Sequence, residues 1–335
     1  MDDAKEATKA QTFEDLKPML RPTGIINGVM KVDPEKCSSC GLCIKNCPFT
    51  CLEMDEDEHP RMVDTYICMS CSNCMIACPK DAMSMEQMFR VKDGFFDTGF
   101  PPMKMPLEPK DAEGKPAEWT PVERAVMERR SVRNYKKDPV PEPLIRRVLE
   151  AGRFAPSGGN HQPWKFTVVT DPEFLARLEA ACQAVWAGMY PVFTNDETVI
   201  NMVGMVPPGV FDPRTQRGLR NIAVKELPVF FHAPALIFMG GNSRMNDADL
   251  GGGICGQNMN LAAISLGLGA CWSNFGKAVN FIPEIRSKLG FDEPWSVTSV
   301  LALGYPKFKQ SGLVARHFRP VTWFRPGSAG PQTEE

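Results

Sequence analysis

Two runs of cysteine near the N-terminus have the residue type and the spacing of a metal site. Cys37 opens a run in which the next cysteines follow after two, two and three intervening residues, and Cys68 opens a second run with the same spacing. Each run ends in Cys-Pro. In such runs three thiolates hold one 4Fe-4S cluster and the fourth reaches the neighbouring cluster. The spacing therefore predicts one cluster on Cys37, Cys40, Cys43 and Cys78, and a second on Cys47, Cys68, Cys71 and Cys74.

Structural zinc is the alternative ligand for these thiolates, but zinc usually takes two separated Cys-x2-Cys pairs around one ion. Disulfides are disfavoured, because nine of the 12 cysteines crowd into residues 37–78 in an ordered spacing. Cysteine in apolar surroundings most often behaves as a small hydrophobe. We therefore interpret the four cysteines outside the two predicted ligand sets as non-ligands: Cys51, Cys182, Cys255 and Cys271. Any function of Cys51 stays open.

Three stretches further along the chain carry donors suited to a flat ligand with a phosphate group. The first, R-R-S-V-R at 129–133, places three guanidinium groups and a hydroxyl at a predicted helix end. The second, A-P-S-G-G-N-H-Q-P-W at 155–164, is a turn of small residues. The third, G-L-G-A-C-W-S-N at 267–274, frees backbone amides after a glycine. Each stretch alone would also suit a solvated helix end or a plain loop.

Two family resemblances follow from these motifs. The cysteine segment, at about 28–91, resembles the bacterial-type two-cluster ferredoxins, which implies low-potential, one-electron transfer. The three later stretches, taken in order over about 120–323, resemble the FMN-dependent nitroreductase family. That resemblance implies an α+β homodimer with FMN at the interface, and with the 156–160 turn presented mostly from the partner subunit. The matching FMN-binding positions are Arg129, Arg130, Ser131, Arg133, Pro156, Ser157, Gly158, Asn160, Ser273, Asn274 and Arg316.

The C-terminal part of the match departs from the family's pattern at one position. Basic residues near the C-terminus return to the flavin phosphate in the family, and Arg316 is the position carried over. Relatives fused to a ferredoxin often have another arginine where this chain has Gly312. The departure removes one phosphate partner, which His317 and Arg319 could replace unless they face water.

Together the resemblances imply an enzyme in which clusters pass single electrons to FMN, and the flavin delivers two electrons to a small organic acceptor. A nitroaromatic, a quinone, an activated alkene or an aryl halide would suit as acceptor, and a ferredoxin or another low-potential carrier as donor. A dehalogenase-type branch of the same family and a non-enzymatic electron-transfer subunit are the alternatives. Whether NAD(P)H also donates stays open, since no G-x-G-x-x-G motif is present.

No residue is assigned to catalysis. No Ser-His-Asp triad or pair of carboxylates stands out, and none is needed if solvent or a group of the 186–227 stretch supplies a proton. Tyr190 and His232 are conceivable proton donors, but packing roles suit both. The 186–227 stretch has no clear period, and we interpret it as a mobile lid, with an irregular surface excursion as the alternative.

The composition excludes several other classes of protein. The 335 residues, 43% of them hydrophobic, suit two unequal domains. A net charge of -2 without a dense basic cluster argues against a nucleic-acid partner. The longest apolar run, 228–241, is shorter than the roughly 20 residues of a spanning helix, and residues 1–17 are too charged for a signal peptide. We expect a cytoplasmic protein without a membrane span.

Periodicity and capping predict the elements that position the motifs. Thr120-Pro121-Val122-Glu123 predicts a helix start, with the helix running to about Arg130. Further helices are predicted at 142–154, 172–186 and 249–266, and strands at 164–169, 235–239 and 296–303. This pattern indicates an α+β fold, with helices around a mixed sheet, after a small ferredoxin-like domain. The predicted boundaries are an extension at 1–27, a cluster domain at 28–92, a linker at 93–118, the FMN domain at 119–326 and a tail at 327–335.

Overall fold

A four-stranded sheet covered by helices forms the larger part of the chain, and a small unit of paired strands precedes it. The structure is a computed structural model, and its helices and strands confirm the α+β class predicted from sequence. Among the described residues, no helix combines the length and the apolar composition that a membrane span requires. The structure describes residues 25–26, 28–63, 68, 70–87, 90–91, 103–194, 222–223, 227–245, 248–309, 311–317, 321–327 and 330–334.

The N-terminal unit consists of three antiparallel strand pairs and two short helices. Strand β1 pairs with β6, β2 with β5, and β3 with β4. Each helix begins after a residue with positive φ and carries a cysteine of one run. In chain order the elements are β1 (Ile25–Ile26), β2 (Val29–Val32), α1 (Leu42–Lys45), β3 (Leu52–Met54), β4 (Pro60–Met62), α2 (Asn73–Ala77), β5 (Met83–Gln87) and β6 (Arg90–Val91).

The backbone of this unit repeats with the same offset of 31 residues as its cysteines. A positive φ is uncommon for residues other than glycine, yet it recurs at matching positions of the two halves. Thr50 (φ 50°) matches Asp81 (φ 49°), and the amide of each donates to the carbonyl of the cysteine three residues earlier. The other matching pairs are Ser39 with Ser70 and Gly41 with Ser72. The duplication seen in the sequence is therefore also a duplication of conformation.

The larger unit follows with a capped helix. Thr120 Oγ accepts a hydrogen bond from the Glu123 amide at 3.3 Å, and the Glu123 carboxylate accepts one from the Thr120 amide at 2.7 Å, which is the predicted capping box. The elements from here are β7 (Met103–Lys104), α3 (Pro121–Glu128), α4 (Glu142–Arg153), β8 (Trp164–Val169), α5 (Pro172–Thr194), β9 (Ala235–Asn242), α6 (Ala248–Ser265), β10 (Gly269–Trp272), α7 (Pro283–Lys288), β11 (Trp295–Gly304), β12 (Arg316–His317), β13 (Val321–Trp323) and β14 (Gln332–Glu334).

The main sheet has the strand order β10-β11-β9-β8. Every pairing in it is antiparallel, so the expectation of a mixed sheet is wrong for the described strands. Strand β9 is buried on both faces, and its side chains alternate between two cores. Leu236 and Phe238 pack with α5, and Ile237 and Met239 pack with α4 and α6. The sheet is thus a central layer between helices.

Most predicted helices and strands are confirmed to within a few residues. The predicted helix at 172–186 continues to Thr194 as α5, so Trp186 belongs to a helix. Trp186 Nε1 donates to the Phe275 carbonyl at 2.8 Å, and the two rings meet edge to face. The lid interpretation is therefore wrong at this end. Most of 195–227 lies outside the described residues.

Two further strand pairs involve residues outside the predicted FMN domain or at its end. Lys104, in the predicted linker, pairs with Arg316, and Met103 pairs with His317. Strand β13 pairs with β14, which lies in the predicted tail. Through these pairs the predicted linker and the predicted tail are each hydrogen-bonded to the C-terminal end of the predicted FMN domain. The domain boundaries themselves stay predictions.

Replacing Gly256 by alanine tests the packing of α6 on β10. A Cβ at Gly256 would lie 2.2 and 2.4 Å from two ring carbons of Trp272, so the helix or the ring must shift. We expect Gly256→Ala to lower the free energy of unfolding by about 1–3 kcal/mol, measured by urea denaturation.

Gly188→Ala is the matched control within α5, because no described atom lies within 4 Å of a Cβ placed there. It should leave stability unchanged or raise it by about 0.5–1 kcal/mol. Equal destabilisation by the two substitutions would contradict the packing argument.

Candidate functional site

Four thiols of the N-terminal unit line one cavity. They come from both cysteine runs, and the cavity walls around them are built by residues 32–83. Cys43 is buried, which raises the pKa of its thiol, whereas Cys40 is exposed. We call this set the first quartet; its members are Cys37, Cys40, Cys43 and Cys78.

The other four thiols, Cys47, Cys68, Cys71 and Cys74, form the second quartet. Burial raises the pKa of Cys68 to about 11, and the nearby Cys71 and Cys47 add to the rise. Burial is also the main cause of the raised pKa of Cys74, with the same neighbours contributing. Because Cys68 and Cys74 are buried and the charged thiols would repel one another, the four could ionise together only around a cationic group.

Among the described residues, no group of three or more His, Cys, Asp or Glu side chains is arranged to hold a single metal ion. The thiols of the first quartet surround a cavity, and the thiols of the second affect one another electrostatically. The metal content of the purified protein distinguishes iron-sulfur clusters from zinc at these thiols.

Backbone amides also point at the sulfurs, in a pattern that repeats. The amide of Cys51 donates to Cys47 Sγ at 3.3 Å, and the amide of Ala82 donates to Cys78 Sγ at 3.2 Å. The two bonds are equivalent under the 31-residue offset. Hydrogen bonds to the sulfurs stabilise thiolates and are one of the factors that set the potential of an iron-sulfur cluster.

Cys51 adds a thiol to one half of this arrangement. It is 3% exposed, and the matching position in the other half is Ala82. The Cys51 thiol donates to the Phe49 carbonyl at 3.6 Å and also interacts with the Cys47 thiol. That interaction is the main reason that the pKa of Cys47 falls to about 6 although burial opposes the fall, and together with burial it raises the pKa of Cys51 itself. Cys51 is therefore a neutral thiol next to a predicted ligand.

Three guanidinium groups converge in the larger unit. Burial lowers the pKa of Arg130 to about 10, and repulsion from Arg316 and Arg129 adds to the fall. Burial and then Arg316 also lower the pKa of Arg129. The Nε atoms of Arg129 and Arg130 are buried and have no hydrogen-bond partner. A set of like charges with unpaired donors is suited to an anion such as a phosphate.

Two of these cations line a cavity of about 180 Å³. Arg129 and Arg130 form one wall, and residues 267–270 form another together with Asn260 of α6. The first and third ligand-binding stretches predicted from sequence therefore meet at one cavity. The second stretch does not contribute to the described lining.

Main-chain contacts fix the predicted binding segment after α3. The Val132 amide donates to the Ala270 carbonyl at 3.1 Å, and Arg133 Nη1 donates to the Ser131 carbonyl at 3.5 Å. Burial raises the pKa of Cys271 in β10, and Arg133 and the Ser131 side chain oppose that rise. These contacts hold Ser131 and Arg133 beside β10.

Ser273 and Asn274 differ in their availability to a ligand. Ser273 is buried; its amide donates to the Val300 carbonyl at 2.8 Å, and its hydroxyl donates to the Val229 carbonyl. Asn274 is exposed at the start of a 3-10 helix, Asn274–Phe281. Ser273 therefore supports the strand end, and Asn274 is open to solvent.

The 156–160 turn stands apart from the cavity in a single chain. Ser157 Oγ accepts from the Gln162 amide at 2.9 Å, and the Asn160 amide donates to the Ser157 carbonyl at 3.0 Å. Asn160, Gly158 and Pro156 are exposed. The turn is thus rigidly bonded within itself and presents its surface outward.

Gly312 has a role that sequence comparison did not indicate. Its amide donates to the Glu128 carbonyl at 3.1 Å, and its carbonyl accepts from Arg130 Nη2. Arg130 Nη1 donates to the Arg129 carbonyl at 2.6 Å. Arg130 therefore closes the end of α3, and part of its donor set is already used. His317 lies in β12, and Arg319 lies outside the described residues.

The conceivable proton donors lie elsewhere. His232 is exposed and lines a second cavity, of about 600 Å³, with Glu179 and Phe230. Tyr190 is half-buried within α5. Neither belongs to the described lining of the cavity next to Arg129, so a catalytic role for either stays a prediction.

Two family profiles match the chain. The profile described as "Nitroreductase family" matches residues 126–305, and the profile described as "4Fe-4S dicluster domain" matches residues 36–82. The first match covers more than half of the chain.

Individual relatives match the larger unit. A protein named NADH dehydrogenase from Thermus thermophilus is 32% identical over 189 residues, 54% of this chain and 85% of that protein. Nitrobenzene nitroreductase from Ectopseudomonas oleovorans is 27% identical over 200 residues, 55% of this chain and 86% of that protein. A crystal structure of a nitroreductase with bound FMN from Desulfitobacterium hafniense has a TM-score of 0.46 at 23% identity, covering 59% of this chain and 95% of that one.

Replacing Cys51 by alanine tests its predicted effect on Cys47. Alanine keeps the amide donor, as Ala82 does in the other half, and removes only the thiol donor. Because hydrogen bonds to cluster sulfurs raise the potential, we expect Cys51→Ala to keep the full iron content and to make one cluster potential more negative in a titration followed by EPR.

Cys182→Ala is the control, since it makes the same change at a buried cysteine in the core around α5. It should move neither potential. Unchanged potentials in Cys51→Ala would show that the thiol does not influence the cluster.

Proposed function

The chain belongs to the nitroreductase family, with a ferredoxin-type 4Fe-4S domain at its N-terminus, and we propose that it is an iron-sulfur flavoenzyme that reduces a small organic acceptor. Single electrons pass through two clusters to FMN, and the acceptor receives two. The observation that carries the proposal is that one chain holds two quartets of thiols and a cavity lined by Arg129 and Arg130, and that a hydrogen bond joins the units that contain them. Asn134, just after the cation-rich stretch, donates through Nδ2 to Oδ1 of Asn46, just before Cys47, at 3.2 Å.

The two thiol quartets suit cubane clusters. The first surrounds a cavity with ligands from both runs, which is the crossing arrangement expected of two-cluster ferredoxins. In the second, Cys68 and Cys74 are buried, and the raised pKa values of these two thiols require a cationic group before they ionise. Iron supplies that charge, and the amides of Cys51 and Ala82 would donate to ligand sulfurs in both clusters.

The cation-lined cavity suits the phosphate end of FMN. Arg129 offers a buried, unpaired Nε, and Arg316 supplies a third positive charge from an exposed strand. Arg130 has a smaller share, because its Nη atoms bond the carbonyls of Arg129 and Gly312. Ser131 and Arg133 would face the remainder of the flavin, and bound FMN would supply two-electron storage and hydride transfer.

A homodimer would complete the site. The 156–160 turn is exposed and away from the cavity, as expected if it serves the site of a second copy. An apolar groove of about 360 Å³ lies between α3, α4 and α6, lined by residues such as Val122, Leu261 and Ala262. Val126, Phe154 and Leu250 are also exposed. Apolar surface of this kind in a soluble chain is typical of an interface.

Nitroaromatics, quinones and enones are the acceptor classes that we propose. One relative is named for nitrobenzene reduction, and others are named for NAD(P)H. We propose a ferredoxin-like protein as the donor, because the dicluster domain offers a one-electron route, and NAD(P)H stays a second source. We propose solvent as the source of the proton for the acceptor. The dehalogenase-type alternative depends on residues 195–221, which lie outside the described part of the chain.

Cofactor analysis and an acceptor screen test this function. Protein purified without oxygen should contain about eight irons per chain and about one FMN, bound at the cavity next to Arg129 and Arg130. The reduced protein is then mixed with nitro, quinone, enone and aryl-halide compounds while flavin reoxidation is followed. Zinc in place of iron, or reoxidation by none of these acceptors, would refute the proposal.

Loss of cations at the cavity should weaken FMN binding. Each of Arg129→Gln and Arg316→Gln removes one charged donor, and a hydrogen bond to a charged group contributes about 1.5–3 kcal/mol. We expect the dissociation constant of FMN to rise correspondingly, measured by flavin fluorescence on rebinding, with iron content unchanged. Arg153→Gln, at an exposed arginine paired with Glu150, is the control and should bind FMN normally. Wild-type affinity in both cavity variants would exclude this phosphate site.

Removal of one ligand from each quartet should cut the electron input. The double variant Cys40→Ser and Cys71→Ser should retain FMN, because the cation-lined cavity contains neither cysteine. Its flavin should no longer be reduced by a ferredoxin donor, which is followed by visible absorption. Undiminished ferredoxin-driven turnover would exclude the relay through the clusters.

A further inference from the structure

The duplication in the N-terminal unit is broken where the first cysteine run ends. Cys47 and Cys78 occupy matching positions, and each is followed by proline. The next matching pair is Phe49 and Lys80; Lys80 is exposed, whereas Phe49 packs against the cores of both units. The residue before the cysteine also differs between the halves. The break therefore lies on both sides of Cys47.

That preceding pair is Asn46 and Ala77. Asn46 is 1% exposed; its Nδ2 donates to the Asn73 carbonyl at 3.1 Å, and its Oδ1 accepts from Asn134 Nδ2. Asn73 lies beside Cys74 in α2. One buried amide thus joins two stretches of the second quartet to the larger unit, and Ala77 has no polar group to do the same for the first quartet.

Arg133 occupies the space between the units. Its guanidinium carbon lies 5.8 Å from the ring centroid of Phe49 and 5.6 Å from that of Phe231. Both distances are within cation–π range. The two rings come from different units, so the cation connects them. Arg133 also belongs to the segment predicted to contact FMN.

Arg133 is also held next to the cation-lined cavity. It directly follows Val132, whose amide donates to the Ala270 carbonyl of β10 at 3.1 Å. Gly269 and Ala270 of β10 line that cavity. Arg133 therefore adjoins both the Phe49 ring, two residues from Cys47, and the strand that walls the cavity.

Phe231 is held over Arg133 by an uncommon backbone conformation. Phe231 has φ 55° and His232 has φ 53°, two consecutive residues in the left-handed region. For residues other than glycine such a conformation costs on the order of 1–3 kcal/mol each and tends to occur at functional sites. The described walls of the first quartet's cavity come from residues 32–83 alone, and Cys40 of this quartet is exposed.

We propose that the second quartet holds the exit cluster, from which electrons pass to the flavin, and that Phe49 and Arg133 form the junction between them. The first quartet then holds the cluster that meets the external donor. This inference rests on the proposed function and specifies its direction. Two reduced one-electron carriers become oxidised, their electrons cross the junction singly, and the acceptor gains both electrons with two protons from solvent.

The junction can be weakened without touching a ligand. Phe49→Leu keeps an apolar side chain and removes the ring that packs on Arg133. After anaerobic mixing with reduced ferredoxin, cluster reduction is followed by freeze-quench EPR and flavin reduction by visible absorption. Cluster reduction should stay at the wild-type rate, and flavin reduction should slow several-fold because the units are less tightly packed. Wild-type flavin reduction, or slowed cluster reduction, would overturn the proposal.

Arg133→Gln provides a readout that does not depend on turnover. Loss of a nearby positive charge makes reduction harder, so the potential of one cluster should become more negative while the other is unchanged. The shifted cluster should be the one that is lost in Cys71→Ser and retained in Cys40→Ser. The assignment would be overturned if the potential of the other cluster shifted, if both potentials shifted equally, or if neither shifted. This test does not depend on whether Phe49→Leu folds.

Arg153→Gln is the matched control, because Arg153 also stacks on a phenylalanine, Phe154, at 4.6 Å, but on an exposed surface. It should change neither potential nor rate. Failure of the proposed function itself would look different: wild-type protein with both cofactors would show cluster reduction without any flavin reduction. Flavin reduction in wild type that the junction variants leave unchanged would refute only the exit assignment.

Discussion

The extended segment between α3 and α4 is the constraint on which the candidate site depends. The Val132 amide bonds to the Ala270 carbonyl, and the Tyr135 hydroxyl donates to the Val132 carbonyl at 2.6 Å. Val132 packs so closely on Gly269 that a Cβ there would lie 2.5 Å from its side chain. With these contacts fixed, the cations that precede Val132 meet the cavity, and Arg133 and Asn134, which follow it, meet the N-terminal unit. One short segment therefore aligns both halves of the proposed electron route.

The cations at the cavity show how binding and folding share residues. Arg130 is buried, and its two Nη atoms donate to the carbonyls of Arg129, at the end of α3, and Gly312. These bonds hold its guanidinium close to those of Arg129 and Arg316 in spite of their mutual repulsion. Gly312 in turn approaches the N-terminal unit, since a Cβ there would lie 2.7 Å from Ile76 Cδ1. An arginine at this position would have to displace Ile76. The departure from the fused relatives' pattern thus has a structural reason, which is the close contact between the units.

The sequence predicted those features that depend on local pattern. Periodicity located β8 and β9, and the capping residues located α3, because a helix start and a buried strand are specified by neighbouring residues. Strand β10 was missed, since its four residues, Gly269–Trp272, are too few to show a period. The bond between Asn46 and Asn134 joins residues 88 positions apart, and no local pattern encodes it. The difference between Phe49 and Lys80 in the repeat was visible in the sequence, but its meaning required the packing.

A duplicated cluster domain does not by itself give electron transfer a direction. Two identical halves would give two equivalent clusters, and electrons would have no preferred exit. The halves keep the same cysteine spacing and the same left-handed backbone positions, but their side chains differ at several positions, among them 46 and 77, 49 and 80, and 51 and 82. These three differences flank Cys47, a member of the second quartet. Two of them contact the larger unit, and the third places a donor thiol next to Cys47. A cation and a nearby thiol both favour the reduced form of a cluster, so the side that we propose faces the flavin would also be the side on which an electron is held most readily.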